Sequence, residues 1–131
     1  VPALAVVLAD LPLVTAAALA SVVSPGRAAV VVAPARSDGG TNVLVRWPLS
    51  AIRARFGRSS CARHRAEAYR QGVTFKEAPL PELVFDLDRP DDLADLIGSD
   101  HRSRTATACL EMELGPRLLK MGIGPTLHQR A

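Results

Sequence analysis

The stretch VFDLDRP, residues 84–90, sets two carboxylates, Asp86 and Asp88, two positions apart at the end of an apolar run. In a strand, positions i and i+2 face the same side, so two like charges would share one edge. A hard divalent cation removes that repulsion. Mg²⁺ takes oxygen ligands, commonly one or two carboxylates completed by substrate phosphates. A third carboxylate, Asp10, closes the apolar run VPALAVVLAD. It is expected at the end of the first strand, with the pair at the end of the last, so that the three converge on one edge of the sheet. The same residues have a plainer use, with Asp88 helping to cap the helix at Pro90 and Asp10 ordering a turn. Residue types and spacing leave both readings open.

Two further stretches have the makings of an anion site. SDGGTN, residues 37–42, offers two glycines and then Thr41 and Asn42, and such a loop can turn backbone N–H groups towards an anion or form a simple turn. RFGRSS, residues 55–60, puts Arg, Gly and Ser before a helix, whose N-terminus attracts anions unless a Ser side chain merely caps it. His64, His101 and His128 have no metal-ligand spacing and read as surface or core histidines. No G-x-S-x-G, Walker A or dinucleotide fingerprint is present.

The elements that would carry these residues alternate. Residues 1–10 read as a strand. Thr15 caps an Ala-rich helix that stops at Ser24-Pro25-Gly26. AAVVVAP, residues 28–34, is β-branched without alternation, which marks a central strand covered on both faces. VLVRW, residues 43–47, is a strand ended by Pro48. A helix runs from Ser59 or Ser60 to Gln71 with Gly72 as its stop, VTFKEA at 73–78 is strand-like, and LVFDLD is the last strand. A helix starts at Pro90 and ends at Gly98, and SRTATACLEMEL makes a final helix closed by Gly115-Pro116. The expected class is α/β with a mostly parallel sheet and flanking helices, as a single domain over 1–131. Ligands of such sheets bind beyond the carboxyl ends of strands, where ADLP and FDLD would lie.

The totals narrow the function. The chain has 131 residues, 48% hydrophobic and 22% charged, which suits one core. Seven arginines lie between Arg46 and Arg70 against Glu67 alone, and eight acids lie between Glu77 and Asp100 against Arg89. A basic segment followed by an acidic one suits phosphates meeting a metal ion, or two solvated faces. The whole chain has only five aromatic side chains to stack on bases, which speaks against nucleic acid. The apolar N-terminus carries Asp10 and Pro12 and no basic flank, which speaks against a membrane or signal segment. Cys61 and Cys109 form no CxxC pair and suggest a reducing, cytoplasmic setting.

In chain order, ADLPL, DGGTNVL, RFGRSSCARHRAEA, FDLDRPDDL and SRTATACLEMELG resemble the second half of the 2-phospho-L-lactate and phosphoenolpyruvate guanylyltransferases of coenzyme F-420 biosynthesis. The resemblance implies a nucleotidyltransferase fold, similar to the glycosyltransferase-A type. It also implies transfer of GMP from GTP to a small phospho-acid with release of pyrophosphate, and leaves room for a homodimer. It implies that Asp10, Asp86 and Asp88 handle Mg²⁺ as catalytic metal ligands, and that Thr41, Gly57 and Ser60, with Asn42 beside them, bind the acid's phosphate and carboxylate. The family normally opens with a Gly-containing loop bearing Lys and Arg that holds the nucleotide, and nothing of that kind precedes Val1. The chain is therefore expected to be the C-terminal portion of such a domain, with an exposed sheet edge. The alternative is a truncated, non-catalytic binding or assembly domain on the same fold.

Overall fold

The computed structural model describes residues 2–24 and 28–126, so the Pro25-Gly26 turn and His128 lie outside the described residues. The chain divides into two compact units, Val1–Phe85 and Asp86–Ala131.

The first unit is built on four strands, β1 (Leu4–Val7), β2 (Val30–Pro34), β3 (Thr41–Arg46) and β4 (Phe75–Glu77), in the order β1-β3-β2-β4. Helix α1 (Ala16–Val23) follows β1, α2 (Ser60–Arg70) lies between β3 and β4, and α3 (Pro81–Val84) comes last. The burial of β2 and β3 explains their unalternating sequences. Val31, Ala33, Val43 and Val45 pack with Ala18 and Val22 of α1 and Leu83 of α3. Val30, Val32 and Leu44 pack instead with Ile52 and with Cys61 and Ala68 of α2. Helices thus cover both faces, and the stretches Val30–Ala33 and Val43–Val45 carry apolar side chains towards each. β1 is an edge strand with Leu4, Ala5 and Val7 exposed.

Two expectations about strands need correction. The sheet is mixed, not mostly parallel: β1 and β2 both run antiparallel to β3, and only β2 and β4 pair in parallel. The cause is the length of the β2–β3 connection. Residues 35–40 suffice for a hairpin, whereas a parallel neighbour needs a crossover of about a dozen residues or more. The second correction concerns LVFDLD, which forms no strand. Pro81 occupies the first turn of α3, where its fixed φ and missing N–H are tolerated. Leu83 and Val84 then donate their backbone N–H groups to the Leu80 carbonyl. Asp86 and Asp88 therefore follow a helical turn, and the shared strand face inferred from their spacing does not exist.

The helix limits behave more simply. Thr15 is extended and its hydroxyl accepts from the Ala18 N–H at 3.1 Å, so α1 begins where its cap residue is read. The helix has eight residues, and among the described residues no helix is long and apolar enough to cross a membrane.

The second unit is helical: α4 (Pro90–Gly98), α5 (Arg104–Glu111) and α6 (Leu114–Lys120). Pro90 starts α4 as expected, but the cap is not Asp88. The Asp92 carboxylate turns back to accept from the backbone N–H groups of Arg89, at 2.8 Å, and Asp88, at 3.1 Å. Ser103 caps α5 by accepting from the Ala106 N–H at 3.1 Å. Gly115-Pro116 does not close that helix. Glu113, left-handed at φ 53°, breaks the chain after α5, and Pro116 falls in the first turn of α6, where no donor is required.

The Asp92 carboxylate is thus the N-terminal anchor of the second unit. Asp92→Ala is expected to weaken α4 by about 1–2 kcal/mol. Native-state amide exchange should show faster opening at Leu93, Ala94 and Asp95, with the β2 and β3 amides unchanged.

Candidate functional site

The SDGGTN and RFGRSS stretches, separated by the 12 residues 43–54, fold against each other. Residues 35–40 form the β2–β3 hairpin loop, which Asp38 ties internally: its Oδ1 accepts from the Gly40 N–H at 2.7 Å. Each glycine has its own reason. Gly39 adopts φ 68°, which favours glycine, while a Cβ on Gly40 would meet Asp38 Oδ1 at 2.7 Å. The loop's outward carbonyls then receive the start of α2. Asp38 O accepts from the Ser59 N–H and Gly39 O from the Cys61 N–H, both at 3.1 Å, and Gly57 O accepts from the Ser60 N–H at 3.0 Å.

This docking changes the anion reading of both stretches. The amides of Ser59, Ser60 and Cys61 are already bonded to carbonyls, so the opening of α2 does not present them to an external anion. Nor does a serine side chain cap the helix. Ser59 is the residue before α2, but it is left-handed at φ 56° and makes no side-chain cap bond.

What the docking creates is a buried polar cluster. Thr41, Ser60 and His64 are 3%, 0% and 0% exposed, and each needs a partner at that depth. Ser60 Oγ donates to Thr41 Oγ1 at 2.8 Å, and Thr41 Oγ1 lies 3.0 Å from His64 Nδ1. On the far side of the ring, the Arg55 backbone N–H donates to His64 Nε2 at 2.9 Å. A backbone amide can only donate, so Nε2 is the unprotonated nitrogen and Nδ1–H is the donor to Thr41. The imidazole is neutral. Burial, reinforced by the nearby Arg63 and Arg46 charges, pushes its pKa below the ordinary histidine value. The Phe56 ring closes over it edge-on, 5.8 Å between centroids.

Of the residues implied as acid-binding, the fold brings Thr41, Ser60 and Gly57 together. Gly57 has φ 103° and holds the Ser60 amide. Asn42 goes elsewhere. Its Nδ2 donates to the Leu83 carbonyl at 3.0 Å, on the α3 side of the sheet, and its buried Oδ1 has no partner. The break in register between Ala33 and Pro34 lets Thr41 and Asn42 turn to these different neighbours.

The carboxylates are distributed over both units. Asp10 lies in the turn after β1, where the Leu8 N–H donates to Asn42 O at 3.0 Å, and Asp10 Oδ1 is buried without a hydrogen-bond partner. An orphaned carboxylate oxygen at depth suits a cation or a donor brought by a ligand. Asp86, 6% exposed, and Asp88, exposed, open the second unit. Among the described residues, no group of three or more His, Cys, Asp or Glu side chains is arranged to hold a metal ion.

His64 is the residue whose part the sequence reading missed. The sequence leaves it as a surface or core histidine; the structure buries it and makes it a bridge. The available signal was helical spacing. Ser60, Cys61, His64 and Ala68 fall at i, i+1, i+4 and i+8 on the buried stripe of α2, which puts a serine directly over the imidazole.

Fold and site together define a small α/β protein whose buried polar residues gather where a glycine hairpin meets the start of a helix. The chain belongs to the guanylyl transferase CofC-like family, whose model matches residues 2–117. It is 42% identical over 97 residues to a phosphoenolpyruvate guanylyltransferase of Sphaerobacter thermophilus, covering 72% of this chain and 46% of the relative. It is 42% identical over 96 residues to a 2-phospho-L-lactate guanylyltransferase of Haloarcula marismortui, covering 72% and 44%. A 3-phospho-D-glycerate guanylyltransferase of Phenylobacterium zucineum is 33% identical over 84 residues, covering 64% and 38%. The matched stretch thus spans less than half the length of these curated relatives.

The depressed His64 pKa predicts an acid-labile first unit. Between about pH 6.5, where histidine titrates in the unfolded chain, and the lower folded value, only the unfolded chain takes up the proton. Stability therefore falls as pH drops through that window and is fully present above it. The thermal midpoint should decline on acidification below about pH 6.5, and His64→Gln should flatten the decline. An identical slope in the variant would assign the acid sensitivity to another group.

Proposed function

We propose that this chain is part of a Mg²⁺-dependent guanylyltransferase that transfers GMP from GTP to a small phospho-acid, within a nucleotidyltransferase-type domain acting in the cytoplasm. The observation that carries the reading is the coincidence of the family match with the buried Thr41–Ser60 pair, at positions where that family resemblance implies acid binding. The relatives' names, which specify phosphoenolpyruvate, 2-phospho-L-lactate and 3-phospho-D-glycerate, share one acceptor chemistry: a phosphate and a carboxylate on a three-carbon skeleton.

In the proposed reaction a phosphate oxygen of the acid attacks the α-phosphorus of GTP. A new P–O bond forms, the bond from the α-phosphorus to the α,β-bridging oxygen breaks, and pyrophosphate leaves with that electron pair. Both reactants are anions, so positioning and charge neutralisation carry the catalysis. Thr41 and Ser60, held by the Gly39–Gly40 hairpin and by Gly57, orient the acid. Asp10, whose Oδ1 lacks a partner, is the residue of the first unit that would hold Mg²⁺, while for Asp86 and Asp88 that role rests on the family resemblance alone. When bound, Mg²⁺ would supply charge neutralisation and orientation of the phosphates, and it needs only one or two carboxylates where phosphates complete its shell. The arginines between Arg53 and Arg65 add a positive field around the acid.

Pyrophosphate release from GTP with Mg²⁺ and each of the three acids tests the reading. Release is expected with at least one acid and is abolished by chelation of the metal. Asp10→Asn should lower the rate by about 100-fold or more and weaken Mn²⁺ binding measured separately. A chain that releases pyrophosphate with none of the acids would sink the proposal.

A further inference from the structure

The hydroxyl pair of Thr41 and Ser60 contains two protons and one mutual hydrogen bond. Thr41 Oγ1 also accepts from His64 Nδ1–H, because Nε2 is committed to the Arg55 amide. One hydroxyl proton is therefore left over, and no partner for it exists among the described residues. We infer that His64 is a positioning residue that fixes the polarity of this pair, so that one hydroxyl proton stays available to an anionic oxygen of the phospho-acid. The inference rests on the guanylyltransferase reading above.

The direction of the chain is set at its far end. The Arg55 N–H cannot be reversed, so the imidazole tautomer cannot flip without breaking that bond. With Nδ1–H fixed as a donor, Thr41 Oγ1 receives one bond from the ring and shares one with Ser60, and the spare proton belongs to the hydroxyl pair in either orientation of that shared bond. The spare proton can then be offered to an unprotonated oxygen, as on a phosphate or carboxylate. The same ring ties the two loops that carry the proposed acid site, since Thr41 opens β3 while Arg55 lies in the RFGRSS stretch.

Side-chain shape separates the two halves of this role. An Asn amide replaces the Nδ1 side of imidazole and can still donate to Thr41, whereas a Gln amide reaches the Nε2 side and can satisfy Arg55 without serving Thr41. His64→Gln is expected to raise KM for phosphoenolpyruvate about tenfold and leave KM for GTP unchanged, while His64→Asn restores the wild-type KM for the acid. A role confined to folding would move both KM values together. Nitrogen-15 chemical shifts of the wild-type ring give a readout that no variant's folding can obscure: a neutral Nδ1–H tautomer is expected. An Nε2–H tautomer, or an unmoved KM for the acid in His64→Gln, would overturn the inference and leave the guanylyltransferase reading standing. A wild type that turns over no phospho-acid would overturn both.

Discussion

A neutral imidazole between two loops is the interaction on which the first unit's polar end depends. His64 receives the Arg55 amide and donates to Thr41, and through Thr41 it reaches Ser60. All three side chains of that cluster are buried, so removal of a partner would leave a donor or acceptor without water, at a cost of about 1–3 kcal/mol each. The cluster is closed enough to define one arrangement of the two loops. Protonation of the ring breaks it from the Arg55 side, because imidazolium has no lone pair to accept with. Burial and the Arg63 and Arg46 charges oppose that protonation, so the electrostatics and the hydrogen-bond geometry require the same state of the ring.

The cluster can exist because the rest of the unit is unusually two-sided. β2 and the Val43–Val45 part of β3 are apolar and covered on both faces, which leaves Thr41, Asn42 and the hairpin loop beside them as the place for polar groups. There the backbone does most of the binding. Carbonyls of Asp38, Gly39 and Gly57 take up the first amides of α2, and the two glycines permit the approach, one through its positive φ and one through its missing Cβ. A helix N-terminus that looks like an anion trap in sequence is thereby spent on joining two loops. Its first three amides hold structure, and hydroxyl groups are left as the cluster's means of meeting a ligand.

What the sequence made legible follows from locality. The Thr15 cap, the Pro90 start, the buried character of β2 and the glycine turn at 39–40 each depend on a few neighbouring residues, and each is found. The sheet's direction was not local in that sense. It was inferred from alternation of elements, although the short connection over 35–40 already required a hairpin. LVFDLD imitated a strand because Leu83 and Phe85 are both buried, but Pro81 had settled a helical turn before them. The capping carboxylate was misassigned for a related reason. Asp88 stands nearer the helix start, yet the reach of an N3 side chain back to the preceding amides favours Asp92. His64 escaped because its partners come from loops 9 and 23 residues away. Single-sequence periodicity places such a ring on a buried face and says nothing of what it meets there.

The loss of the strand at LVFDLD also changes the physical reason for the aspartates. Charge repulsion across a shared strand face no longer demands a cation, because that face is absent. The stronger ground is now Asp10, whose Oδ1 is buried and unpartnered while the same turn is pinned to Asn42 by the Leu8 amide, and Asn42 itself carries an unpartnered Oδ1. Two oxygens that only accept, both dry, are costly in a resting protein unless a ligand completes them. A cation or a donor group of a bound substrate would satisfy either one. The first unit thus keeps polar groups on two sides of its sheet: the hydroxyls bonded to His64 on the α2 side, and unfilled acceptors near the Asn42 bond to α3. Hydroxyl donors suit anionic oxygens, and unfilled acceptors suit a cation or a donor group. The division of labour thus follows from which polar groups burial left satisfied and which it left wanting.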